Sequence, residues 1–90
     1  MLLLITYDLK DDSRNYTSLT NAIKNFGIAW WHYLDSVWIV KTRDKDADNC
    51  FEALKPHIDG NDRLLICDVT NSDVNGWLPS KAWEWIKKNK

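Results

Sequence analysis

A chain of 90 residues, 44% hydrophobic and 28% charged, has the composition of a folded globular protein and is too short to divide into two independent cores. Its net charge of -1 and pI near 6.0 exclude the broad basic face through which long nucleic acid is gripped by counterion release. Six tryptophans are the surplus that needs an account.

Leu2 to Tyr7 form a near-continuous apolar run, closed by Asp8 and the polar "DLKDDSR", the pattern of a central strand covered on both faces. The run is brief, has no basic leader or cleavage site, and is interrupted by Asp8. It is therefore expected to be neither signal peptide nor membrane span, and the chain to be cytoplasmic. Tyr16, Leu19, Ile23 and Phe26 recur at spacings of three and four, one face of a helix, with Gly27 placed as its C-cap.

"GIAWWHYLDSVWIVKT" then reads as a hairpin. Ala29, Trp31 and Tyr33 fall on one face of its first strand, and Trp30, His32 and Leu34 on the other. "LDS" turns the chain, and Val37 to Thr42 return it as a β-branched and aromatic strand. The charged "RDKDADN" leads into a second helix with Ala47, Cys50, Phe51, Leu54 and Ile58 inward, which Pro56 ends or bends. "GND" turns into "RLLICDV", a last strand. In "GWLPSKAWEWIKK", Ser80 is placed as the N-cap of a short amphipathic helix carrying Ala82, Trp83, Trp85 and Ile86.

The order strand, helix, strand, strand, helix, strand predicts an α+β, ferredoxin-like β-α-β-β-α-β fold, an antiparallel sheet with two helices on one face. One domain is expected over 1–90, with a core over 1–70 and a tryptophan-rich helical extension over 71–90. The second face of the sheet is expected to be bare. A second copy of the chain is its simplest cover, which predicts a homodimer or higher homo-oligomer.

Three features bear on chemistry. Asp8, at the end of a central strand, lies where two copies could bring their carboxylates together on one Mg2+ or Mn2+ and activate water against a phosphodiester; the alternative is a residue that turns the chain. Trp30, Trp31, Tyr33 and Trp77, with His32 among them, can form a wall on which bases stack, or can be spent on core and dimer interface. Trp30 and Trp31 are adjacent and must point to opposite faces, and Trp77, in a loop after Gly76, is expected to be exposed. His32 reads as a hydrogen-bonded structural residue or a catalyst, and His57 as structural at a helix C-terminus. Ser36 has no adjacent base. Cys50 and Cys67 read as buried free thiols, for there is no CxxC pair, zinc spacing or Gly-rich phosphate loop.

The stretches "LLLITYDL", "DSR", "LDSVWIV" and "NDRLLICDV" resemble the smaller, non-integrase subunit of the CRISPR spacer-acquisition complex and the related virulence-associated endoribonucleases. "WWHYLDSVWIV", "IDGNDRLLI" and "GWLPSKAWEWI" are similar to short SinR-family or hypothetical proteins of bacteria and phages. The broader resemblance covers about 1–69 and implies a ferredoxin-like homodimer, with an aspartate ending the first strand that binds metal in nuclease members. Asp8 is the matching position. The chain departs from that family in its acidic balance and in a tryptophan-rich tail where the family adds a strand.

Three functions are open at this level. The first is a non-catalytic homodimer that binds a nucleotide or short nucleic acid, with sequestration of a nucleotide signal in phage–host conflict as its extension. The second is a metal-dependent phosphodiesterase or endonuclease on paired Asp8 residues. The third is a protein-interaction module with tryptophan hot spots.

Overall fold

The computed structural model describes residues 1–10 and 16–90; residues 11–15, which include the "DSR" of the first loop, lie outside the described residues. Four strands, β1 (Leu2–Asp8), β2 (Ala29–Leu34), β3 (Val37–Lys41) and β4 (Arg63–Asp68), alternate with helices α1 (Thr17–Phe26) and α2 (Ala47–Leu54), and α3 (Ser80–Asn89) follows. All pairings are antiparallel and the sheet runs β2-β3-β1-β4. This is the ferredoxin-like arrangement expected from the pattern.

The two-residue alternation of the strands sorts their side chains into two cores. Leu3 and Ile5 of β1, with Trp38 and Val40 of β3, face α1 and α2 and close on Leu19, Ile23, Phe26, Cys50 and Leu54. Each such side chain contributes about 1.5–3 kcal/mol by leaving water. Helix α2 is started by a capping box in which the Asp46 carboxylate accepts from the Asn49 amide at 2.9 Å and the Asn49 side chain accepts from the Asp46 amide at 2.9 Å. The charged lead "RDKDADN" thus carries a specific N-terminal signal. A 3-10 turn over Lys55–His57, with Pro56 inside it, ends that helix.

The second face is not bare. Ala82 and Ile86 of α3 pack on Leu2, Trp31 and Ile39, with Val69, Leu78, Trp83 and Trp85 around them. The apolar stripe of α3 is its own sheet's cover, so the expected demand for a second copy is largely met within one chain. What α3 leaves open is the outer side of β4, where Leu65 is exposed. Cys67 lies on that side and is half-buried, unlike the fully buried Cys50, whose thiol burial pushes up to about 11. Pro79, not Ser80, stands at the N-cap of α3; its extended backbone takes the position and Ser80 becomes the first helical residue.

Gly27 ends α1 in extended backbone, not in the left-handed conformation of a glycine C-cap. Its requirement is one of space. A β-carbon there would collide with the carbonyl oxygen of Lys41 and with Val40, because the chain crosses directly over the end of β3 and Ile28 donates to that carbonyl at 2.8 Å. Asp62 ties the opposite end together: buried, it accepts from the Asp59 and Lys10 amides at 2.8 and 3.0 Å and from the Tyr16 hydroxyl at 2.9 Å. No helix among the described residues is long and apolar enough to cross a membrane.

Candidate functional site

The hairpin's aromatic residues divide between the two faces of edge strand β2. On the α1 side, the indole of Trp38 is 1% exposed and donates from Nε1 to the Tyr7 hydroxyl at 3.0 Å. His32 stacks on it, with ring centroids 3.7 Å apart and planes 15° from parallel, and Trp30 leans against it at 5.2 Å. His32 Nε2 meets the Asp35 carbonyl at 3.0 Å, which binds the ring to the hairpin turn. This histidine therefore holds the hairpin's end in place. Trp30 is exposed and carries the Lys24 ammonium 5.1 Å above its ring, a cation–π contact at the surface.

On the opposite side, Trp31 is buried and its ring lies 5.1 Å from that of exposed Tyr33. The Trp31 indole N–H has no acceptor among the described residues. Leu34 departs from the expected alternation. A register irregularity between Trp31 and Leu34 sets it opposite Val37, and it joins Trp31 on the α3 side, away from Trp30 and His32. A bulge of this kind inserts one residue on the bulged strand and reverses the faces beyond it.

Where β2 meets α3, these residues line one groove of about 610 Å³, formed by Trp30, Trp31, His32 and Tyr33 from the strand and Lys81, Glu84, Trp85 and Lys88 from the helix. The helical members recur at spacings of three and four, so one face of α3 presents all of them. Four of the expected site residues, Trp30, Trp31, His32 and Tyr33, thus come together. Trp85 and the charged positions of α3 complete the wall, and sequence reasoning assigned them no part in it. Their signal was present as the polar stripe beside the apolar one on α3, but its meaning depended on knowing that α3 packs beside β2.

Trp77 stands apart. It is fully exposed, at the rim of a smaller apolar cavity of about 330 Å³ that also involves Leu4, Leu34, Val37, Ile39 and Trp83. Gly76 before it has a φ of 159°. Asp8 is also elsewhere, at the far end of β1, opposite Arg63 in register and exposed in a shallow depression of about 270 Å³ with Thr6, Tyr7, Arg63, Leu64 and Leu65. Its carboxylate accepts from Lys10 Nζ at 2.5 Å. Among the described residues no three carboxylates, histidines or cysteines gather as a metal site, and the Asp8 carboxylate lies beside the cations of Lys10 and Arg63. At the end of β4, hydrogen bonds from the Thr70 hydroxyl and amide hold the Asp68 carboxyl below its ordinary range.

An antiparallel sheet in the order β2-β3-β1-β4, with α1 and α2 on one face and an aromatic groove at its edge, defines a small ferredoxin-like α+β protein. Residues 1–75 match the family described as CRISPR associated protein Cas2, and the chain belongs to that family. The match spans all four strands and ends before α3. No curated protein and no solved structure matches the chain.

Proposed function

We propose that this Cas2-family protein is a homodimeric, non-catalytic binder of a nucleotide or a short single-stranded nucleic acid, held in the groove between β2 and α3. The groove carries the reading: flat rings and two lysines converge on one concavity whose volume lies in the usual ligand-pocket range of about 300–1,000 Å³. Tyr33 and Trp85 are the stacking platforms, and Lys81 and Lys88 meet phosphate. A net charge of -1 suits a short ligand held locally better than a long duplex gripped along a face. The second copy of the chain belongs on the open side of β4, around exposed Leu65.

The test is fluorescence anisotropy with labelled single strands of a few nucleotides, repeated over a range of salt. Trp85→Ala is expected to weaken binding by about tenfold or more, since each stacked base contributes about 1–3 kcal/mol. Lys81→Ala and Lys88→Ala should each flatten the logarithmic salt slope by about 0.7. Absence of binding, or binding indifferent to all three changes, would sink the proposal.

A second reading places chemistry at Asp8. Its exposed position in a depression with Arg63 and Lys10 supports contact with a phosphodiester, and pairing of two copies would supply the second carboxylate for Mg2+ or Mn2+. On this reading, metal-supported cleavage of a labelled strand falls by at least about a hundredfold in Asp8→Asn, with the unfolding midpoint unchanged. Equal cleavage by parent and variant removes it.

A further inference from the structure

Glu84 is out of place in a groove built only for phosphate. It projects from α3 between Lys81, one turn before it, and Lys88, one turn after, and all three line the same concavity as the aromatic rings. Among the described residues it makes no salt bridge with either lysine, and it takes part in no hydrogen bond. A carboxylate repels phosphate, so its place in such a site is to accept hydrogen bonds from a neutral donor. The two lysines lie about 10 Å apart along the helix, far enough for phosphates on either side of one base.

We infer that the groove selects guanine, resting on the reading that it holds a nucleotide or single strand. Guanine is the base whose adjacent N1–H and N2–H donors face one carboxylate in a bidentate pair. Cytosine offers one amino donor, adenine one amino donor beside a ring acceptor, and hypoxanthine N1–H alone. The ring of Trp85 or Tyr33 stacks the base, the Glu84 oxygens accept from its donor edge, and Lys81 and Lys88 hold the flanking phosphates. Two paired hydrogen bonds to a charged acceptor give a discrimination of about tenfold or more. A bidentate fit depends on both carboxylate oxygens, so glutamine, which turns one acceptor into a donor, abolishes the preference while keeping the side chain's size.

The experiment compares binding of GMP, IMP, AMP and CMP, followed by tryptophan fluorescence. The same panel is repeated with a four-nucleotide single strand carrying guanine, hypoxanthine, adenine or cytosine at one position. The unmodified protein is expected to bind guanine at least about tenfold more tightly than the other three bases. Glu84→Gln, an exposed surface change whose fold is checked by circular dichroism, should reduce that preference to within about twofold. Preference in the strand series but not among the mononucleotides identifies a base within a strand, and the reverse a free nucleotide; either supports the inference. Equal binding of all bases by the unmodified protein overturns guanine selection and leaves the binding function standing. A guanine preference undiminished in Glu84→Gln overturns the inference at its reader, the Glu84 carboxylate, and likewise leaves the binding function standing. Failure to bind any member of either panel overturns the selection and the proposed function together.

Discussion

Alanine at Trp38 is expected to lower folding stability by about 3–5 kcal/mol, most of what a domain of this size possesses. The indole is the hub of the hairpin. It is fully buried against the α1–α2 core, stacks on His32, supports Trp30, and donates to Tyr7. Its loss opens a cavity that strands on both sides cannot close, because β3 is fixed in register between β1 and β2. Trp38→Phe keeps a ring for His32 and Trp30 and forfeits the bond to Tyr7, so its deficit is expected to be roughly 1–2 kcal/mol. Urea unfolding followed by circular dichroism separates the two. A loss below about 1 kcal/mol for the alanine variant would mean that the stack is not a structural centre.

The second large effect comes from the smallest side chain. Gly27→Ala places a methyl group against a backbone carbonyl that already accepts a hydrogen bond from Ile28, so the obstruction cannot be relieved by rotating a side chain. Either the Ile28–Lys41 bond breaks or the start of β2 moves off β3. The expected loss is about 3 kcal/mol, the upper end of ordinary overpacking. The check is the shift of the urea midpoint at constant m-value, which reports stability rather than a change in the surface exposed. A midpoint equal to the parent's would show that β2 can shift along β3 without penalty, and would remove the close approach as a constraint.

These two positions also show what a linear reading reaches. The apolar run in "LLLITYD", the β-branched and aromatic "VWIVKT" and the three-and-four spacing from Tyr16 to Phe26 are local signals, and local signals specify strands, helices and their order. Gly27 was legible as a stop but not for its reason, since the Lys41 carbonyl that excludes a side chain lies 14 positions away along the chain and touches it only in the folded sheet. The bulge that turns Leu34 was invisible for a similar cause: register depends on both strands, and nothing in "HYLDS" alone encodes where the extra residue is absorbed. The tail was the largest omission. Its apolar stripe was plain, but whether Ala82 and Ile86 cover this sheet or another surface depends on the path of residues 69–79, which carry few periodic signals. The site followed the same division. Trp30, Trp31, His32 and Tyr33 are consecutive and drew notice, whereas Glu84 and Trp85 become neighbours of those rings only through tertiary packing.

The cover that α3 provides has a consequence for how such a protein can change. One wall of the groove is a strand inside the segment shared with the Cas2 family, held by the buried Trp31 and Trp38. The other wall is a helix beyond that segment, anchored by Ala82 and Ile86 with Trp85 packed beside them, and exposed at Lys81, Glu84 and Lys88. The residues that seal the sheet and the charged residues that line the groove thus lie on different sides of the same short helix. On the proposed function, exchanging Lys81, Glu84 and Lys88 would retune what the groove accepts while the inward pair keeps the sheet sealed, so ligand choice could drift without asking the fold's permission.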